Sequence, residues 1–191
     1  MAKCPLCKSK KGKRTCLRSE IPICSLCCGK SRNVESCTGC SFYQKPRRKY
    51  HEVPAFTTSE MSDSQELADY GNAIEGALCA YDIQLKVANE DRLTDRDAIK
   101  IIELLLDIYY FDDQEIDTEN QKLAHAASYV GKAIDKDLTG KVDKKTLVKL
   151  LGVIRYVAKR RTKDGNEYMK IIHKYVGIRV DTGVRVLSHP I

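Results

Sequence analysis

The chain lacks the features that mark membrane and secreted proteins. No apolar run approaches the roughly 18 residues that a membrane span needs, so any membrane contact would be limited to the surface. No apolar signal-peptide core follows the lysine-containing first ten residues. The pattern therefore favours a cytoplasmic protein whose thiols stay reduced.

Catalytic signatures are also missing. The sequence holds no Ser/His/Asp or Cys/His signature, no glycine-rich phosphate loop and no HExxH motif. The four histidines lie in separate segments, at His51, His125, His173 and His189. Those on helices are interpreted as satisfied surface or core groups. The sequence predicts a protein that is not an enzyme.

Acidic residues are scarce in the first part of the chain. Residues 1–50 hold 13 Lys or Arg against Glu20 and Glu35, a balance of +11, whereas the remaining 141 residues come to −4. The basic residues form two patches, 8–14 and 45–49. Such patches either keep a sulfur-rich segment soluble or bind the phosphates of nucleic acid. The candidates for nucleic-acid binding are Lys45, Arg47, Arg48 and Lys49.

Cysteine is what this part of the chain has in abundance. Eight of the nine cysteines fall within residues 4–40, and six of them form three Cys-x-x-Cys pairs. A two-residue gap lets both thiolates bind one ion, and eight sulfur ligands are what two tetrahedral Zn²⁺ sites require. The candidate ligands are Cys4, Cys7, Cys16, Cys24, Cys27, Cys28, Cys37 and Cys40.

Zinc also suits this segment energetically. About forty residues rich in Lys, Ser and Gly cannot bury enough apolar surface to fold alone. A structural Zn²⁺ supplies about 10–16 kcal/mol of apparent free energy. Disulfides, a redox role and an iron–sulfur cluster are the alternatives, and the spacing together with a reducing compartment favours two zinc ions per chain.

The order of these cysteines resembles the B-box type of zinc finger, in which two ions are bound in a cross-braced order. The resemblance covers about a fifth of the chain. It departs from the family in its all-Cys ligands and in a longer gap before the last pair. It implies that one ion is shared by Cys4, Cys7, Cys24 and Cys27, and that Cys16, Cys37 and Cys40 take three positions on the other. It also implies a scaffold for protein interaction.

The fourth ligand of the second ion has two candidates. In the B-box pattern an acidic residue or a Cys stands shortly after the third ligand, and this chain has Glu20 there. Cys28 competes, because a thiolate suits a site otherwise made of sulfur better than a carboxylate does.

A second resemblance concerns the end of the same segment. The sequence Cys-Ser-Leu-Cys-Cys-Gly of residues 24–29, with Arg32 and the last Cys pair, is similar to the start of uncharacterised prokaryotic zinc proteins. That likeness implies no known activity.

The remainder of the chain predicts an all-α domain. Residues 46–61 contain Pro46, Pro54 and a polar Thr/Ser run, which is typical of a linker. From residue 62 apolar residues recur at helical spacing. The expected organisation is a zinc-binding module over 1–45, a basic and polar linker over 46–61, and a helical bundle domain over 62–191.

The predicted bundle contains about five helices and ends in a short β-hairpin. The first two helices are expected over 62–87 and 95–111, the second being apolar nearly all round and therefore central. Thr94, Thr118, Asp143 and Asp164 mark the starts of the later four. After Gly177 the period changes to two, which predicts a hairpin turning at residues 181–183. Cys79 is interpreted as a buried small hydrophobe.

One helix connection resembles the first nine positions of an EF-hand calcium loop. Its candidate ligands are Asp135, Asp137, Thr139 and Asp143, with Gly140 at the sharp turn. Position twelve, where calcium needs a bidentate Glu, is Thr146. A helix connector containing Asp and Gly is the alternative interpretation.

Two classes of function follow. In the first, the zinc module is a scaffold for binding another protein. In the second, the basic patches contact DNA or RNA.

Overall fold

The chain forms two compact units, Met1–Arg48 and Lys49–Ile191. The structure is a computed structural model, and the residues it describes are 3–43, 48–179 and 185–186. These contain eight helices and four two-residue strands. Within the described ranges, no helix combines the length and the apolar character that crossing a membrane requires.

The first unit is built from short elements. Strands β1 (Arg14–Thr15) and β2 (Pro22–Ile23) pair antiparallel, and helices α1 (Ser25–Lys30) and α2 (Val34–Cys37) follow. Gly12 is needed beside β1, because a Cβ there would lie 2.4 Å from the carbonyl oxygen of Pro22. The buried side chains described in this unit are Cys4, Ile23 and Cys24 alone. Packing therefore contributes little to its stability.

The second unit is helical, as predicted. The bounds are α3 Thr58–Asp63, α4 Gln65–Val87, α5 Asp95–Tyr109, α6 Gln121–Leu138, α7 Lys144–Arg161 and α8 Glu167–Tyr175. Strands β3 (Ile178–Arg179) and β4 (Arg185–Val186) then pair antiparallel, with Ile178 opposite Val186. The predicted turn of this hairpin, residues 181–183, lies outside the described residues.

Helix α5 lies at the centre of the second unit. Its buried side chains point to several sides, and it packs against α6, α7 and α8. Helix α4 packs against α6, α7 and α8 as well. Cys79 on α4 is fully buried in this core, as the sequence predicts, and burial raises the pKa of its thiol.

Two of the predicted helix starts are confirmed by their side chains. Thr94 and Asp97 form a reciprocal capping box at the start of α5. The Asp143 carboxylate accepts a 2.8 Å hydrogen bond from the Thr146 backbone N–H at the start of α7. The prediction from Thr118 was two residues early, because the side chain of Asn120 accepts the bond that starts α6.

The start of α8 is fixed from a distant part of the chain. Asp164 was expected to precede this helix, but the residue before it, Asn166, makes no side-chain capping bond. The fully buried carboxylate of Asp95 instead accepts the backbone N–H groups of Tyr168 and Met169, at 3.1 and 3.0 Å. A residue of α5 therefore caps α8 through space.

The predicted linker over 46–61 is wrong for residues 49–61, which belong to the second unit. Val53 is buried in the core, and Thr57 forms a capping box with Glu60 that starts α3. The segment crosses α7 closely, because a Cβ on Gly152 would lie 2.4 Å from the Pro54 carbonyl oxygen. Proline and threonine thus shape an ordered strap here. Residues 44–47 lie outside the described part of the chain.

A buried ion pair joins α4, α8 and the segment before α5. The Asp82 carboxylate is 1% exposed and accepts hydrogen bonds from Arg92 Nε (3.0 Å), His173 Nε2 (2.7 Å) and the Leu93 backbone N–H (2.7 Å). Burial opposes ionisation of Asp82, but the bonds from His173, Arg92 and Leu93 outweigh it and lower its pKa to about 2. The charged carboxylate is therefore the form that the fold stabilises.

A fragment of residues 49–191 should keep its helical circular dichroism in the presence of a metal chelator, because its core contains none of the clustered cysteines. A fragment of 61–191 should unfold at lower denaturant, since it loses Val53 and the α3 cap, a loss of roughly 1.5–3 kcal/mol for the Val side chain alone. Equal stability of the two fragments would contradict the ordered strap.

Replacing Asp82 with Asn should lower the free energy of unfolding by about 3–5 kcal/mol, because Arg92 and His173 lose a buried partner. Asp112→Asn is the matched control: its pair with Lys144 is mostly exposed and should contribute at most about 1 kcal/mol. Urea denaturation of both variants measures the difference.

The effect of Asp82→Asn should also depend on pH. The folded pKa of Asp82 lies below the ordinary value of about 3.9, so its contribution is complete above that value and is lost as the pH falls toward 2. The gap in stability between the wild type and Asp82→Asn should therefore shrink between about pH 5 and pH 2. A constant gap would show that the charge of Asp82 is not what matters.

Candidate metal centre

Four cysteines of the first unit are gathered into one cluster. The sulfur atoms of Cys4, Cys7, Cys24 and Cys27 all lie within 4.8 Å of one another. Those of Cys7 and Cys24 are 3.8 Å apart, which matches the edge of about 3.8 Å in a tetrahedron with metal–sulfur bonds of about 2.3 Å. All nine cysteines of the chain lie in the described part, and none forms a disulfide. The cluster could hold one metal ion.

The cluster is assembled from two local structures. Cys4 and Cys7 lie on a tight turn that closes where the Lys8 backbone N–H donates to the Cys4 carbonyl at 2.8 Å. Cys24 is the N-cap of α1, and its sulfur accepts the Cys27 backbone N–H at 3.4 Å. Each Cys-x-x-Cys spacing therefore brings two sulfurs to one side of a turn. The cluster is the set of four that the B-box resemblance assigns to the first ion.

The surroundings of Cys7 favour its ionised form. The Ser9 side chain and the backbone N–H groups of Ser9 and Lys10 lower the pKa of Cys7 to about 5. A hydrogen bond with Cys24 and burial raise the pKa of Cys27 to about 12. An ion entering the cluster would displace the proton that Cys27 holds, since thiolates are the ligands.

The turn that positions Cys4 is repeated at Cys16. The Glu20 backbone N–H donates to the Cys16 carbonyl at 2.8 Å, as Lys8 does to Cys4. Lys8 and Glu20 share a left-handed backbone with φ of 54°. Hydrogen bonds from the side chain and backbone of Ser19 and from the Arg18 backbone lower the pKa of Cys16. Cys16 is thus prepared as a thiolate in the same way as the ligands of the cluster.

The other four candidate ligands surround one cavity of the first unit. The cavity has a volume of about 220 Å³, and its lining includes Cys16, Cys28, Cys37 and Cys40. The Arg14 guanidinium lies 4.0 Å from the Cys28 sulfur. These four sulfurs are not as close together as those of the cluster, which in the described residues is the single group of three or more metal-ligating side chains.

Glu20 does not line this cavity. Its side chain is exposed, and its backbone takes the left-handed position that closes the second turn. Of the two candidates for the fourth ligand of the second ion, Cys28 therefore lies with the other three cysteines.

The calcium loop predicted over residues 135–146 is not formed. Asp135 and Asp137 lie inside α6 rather than in a loop, and Thr139 caps its end. The Asp143 carboxylate accepts the backbone N–H and the hydroxyl of Thr146 at the start of α7. Helical periodicity continues through the first EF-hand positions, so their carboxylates do not turn toward one point.

The residues predicted to contact nucleic acid are only partly described. Lys45 and Arg47 lie outside the described residues. Arg48 and Lys49 are described, and Lys49 pairs with Glu52 at 2.8 Å on the surface. In the other basic patch, Lys8, Lys10, Lys11 and Lys13 are exposed.

Sequence reasoning missed two kinds of residue in the first unit. Ser9 and Ser19 bond to the cysteine sulfurs, which serine spacing alone does not reveal. Three large apolar side chains on the lining of the 220 Å³ cavity are exposed, at Leu6, Leu17 and Phe42. Apolar residues within polar turns were the available signal for these three.

Comparisons with known proteins identify no relative: family models, curated proteins and solved structures were each searched without a match. The likeness to B-box fingers therefore stays a prediction, and function has to be inferred from the residues themselves.

Replacing Cys24 with Ser should remove one metal ion per chain, because Cys24 is both a sulfur of the cluster and the cap of α1. Cys79→Ser is the matched control, since Cys79 lies in the core of the second unit, and its metal content should be unchanged. Elemental analysis of both purified variants measures the stoichiometry. An unchanged content in Cys24→Ser would remove the cluster as a metal site.

Proposed function

We propose that residues 1–48 are a structural two-zinc module that presents a binding surface to another protein and does not catalyse a reaction. The observation that carries the proposal is the cluster of four cysteine sulfurs within 4.8 Å of one another. Zinc is the metal that such a donor set favours in a reducing compartment, because sulfur-only tetrahedral sites are typical of structural zinc.

The first unit has little else to stabilise it. Its described buried side chains number three, and two of these are cysteines of the cluster. Metal–sulfur bonds supply the free energy that packing does not, so metal binding and folding are coupled. A zinc ion with four thiolates has no open position for water, which supports a structural rather than a catalytic role.

A second ion is supported by the lining of the 220 Å³ cavity. Cys16, Cys28, Cys37 and Cys40 all contribute to it, and Cys16 repeats the turn of the first site. Binding would draw the pair at 37 and 40 toward Cys16 and Cys28 until the sulfurs reach bonding distance. The nearby Arg14 guanidinium favours the thiolate form of Cys28. The sites are then cross-braced along the chain.

A protein partner fits this module better than a nucleic acid does, because exposed apolar side chains accompany its basic ones. Nucleic acid is the alternative. It would bind the exposed lysines of residues 8–14 with an affinity that falls steeply with salt, and lysine-to-glutamine changes there would reduce that slope. A cytoplasmic location remains a prediction of the sequence.

Native mass spectrometry of protein purified without chelator should show the mass of two zinc ions. Cys28→Ser should reduce this to one ion or weaken the second ion strongly against a competing chelator, because a thiolate is lost from its shell. Glu20→Gln is the matched control and should retain both ions, since Glu20 is turned away from the cavity. An iron–sulfur absorption spectrum would exclude zinc as the native metal.

A further inference from the structure

The lining of the 220 Å³ cavity includes three apolar side chains that face solvent. Leu6, Leu17 and Phe42 are 59%, 55% and 40% exposed, and all three line this one cavity. Ile21 and Ile23 also line it. Large apolar side chains that share one concave site and stay exposed mark an interaction surface rather than scattered surface residues.

Positive charge surrounds this apolar surface. Arg18 lines the cavity, and the Arg14 guanidinium lies 4.9 Å from the centre of the Phe42 ring. Residues 1–50 carry a balance of +11 before metal binding, with Glu20 and Glu35 as their acidic residues. The field at the cavity therefore attracts groups of negative charge.

The size and the chemistry of the cavity limit what it can receive. Its volume lies below the roughly 300–1,000 Å³ of small-molecule sites, which disfavours a cofactor. Aliphatic leucines offer no face on which a base can stack, which disfavours single-stranded nucleic acid. An apolar side chain from a peptide, with acidic neighbours for the two arginines, suits both the lining and the charge.

We propose that this cavity, with Leu6, Leu17 and Phe42 at its mouth, is the docking site for an acidic amphipathic segment of a partner protein. One or two large apolar side chains of the segment enter between the leucines and Phe42, and neighbouring Asp or Glu residues pair with Arg14 and Arg18. The proposal rests on the proposed function, because the cysteines at the base of the cavity are those assigned to the second ion.

The test is selection of a random peptide library displayed on phage against the full-length, zinc-loaded protein. Enriched peptides should combine Leu, Ile, Phe or Trp with adjacent Asp or Glu. Failure to enrich any peptide, or enrichment of neutral or basic peptides, would overturn the proposal.

Matched variants then locate the site for one enriched peptide, resynthesised with a fluorophore. Leu17→Ser should weaken its binding at least about tenfold, whereas Leu26→Ser should not change it. Leu26 is the control because it is also 55% exposed on this unit but does not line the cavity. Arg18→Glu should weaken binding more than Lys11→Glu, although both change the net charge equally. Equal effects within either pair would contradict docking at this cavity.

Metal content separates failure of the docking site from failure of the zinc module. Leu17→Ser should retain the wild-type ion count, so that its loss of binding cannot come from metal loss. If the wild type holds two zinc ions and selects no peptide, the docking site fails and the two-ion module stands. If peptides bind through Leu17 while a single ion is found, the docking surface stands and the second ion fails. Leu17-dependent, salt-sensitive binding of a single-stranded oligonucleotide, without peptide binding, would assign the surface to nucleic acid.

Discussion

The approach of four thiol groups to one point is the constraint on which the first unit depends. With Cys4, Ile23 and Cys24 as its described buried side chains, this unit lacks the apolar area that ordinarily offsets the entropy of ordering a chain. The second unit solves the same problem differently, since its helices enclose a continuous apolar core around α5. One chain thus contains two units stabilised by different physical interactions.

The repeated turn explains how one short segment can prepare two sites. In both copies backbone N–H groups surround a cysteine sulfur, and a left-handed residue closes the turn. The copies differ at one important position: Cys7 follows Cys4 by three residues, whereas Ser19 takes that place after Cys16. The second turn therefore offers one sulfur rather than two, and a complete site around Cys16 has to recruit ligands from later in the chain.

Local patterns predicted what depends on local structure. The Cys-x-x-Cys spacings and the B-box likeness identified the cluster, and Thr94 and Asp143 marked helix starts correctly. The strap over residues 49–57 was missed because its order comes from packing at Gly152, far away in sequence. Asp135 and Asp137 misled, because their EF-hand spacing is also compatible with a continuing helix. The exposure of Leu17 could not be predicted either, since short turns carry no periodicity.

The capping of α8 by Asp95 has a consequence for how the second unit is formed. A nine-residue helix is marginal on its own, and the groups that satisfy its first N–H donors belong to a helix that begins 72 residues earlier. Helix α8 therefore becomes stable only once α5 is docked beside it, which makes its formation a late, non-local event. Slow hydrogen exchange at the Tyr168 and Met169 amides would then report the opening of the whole helical core rather than fraying at its end.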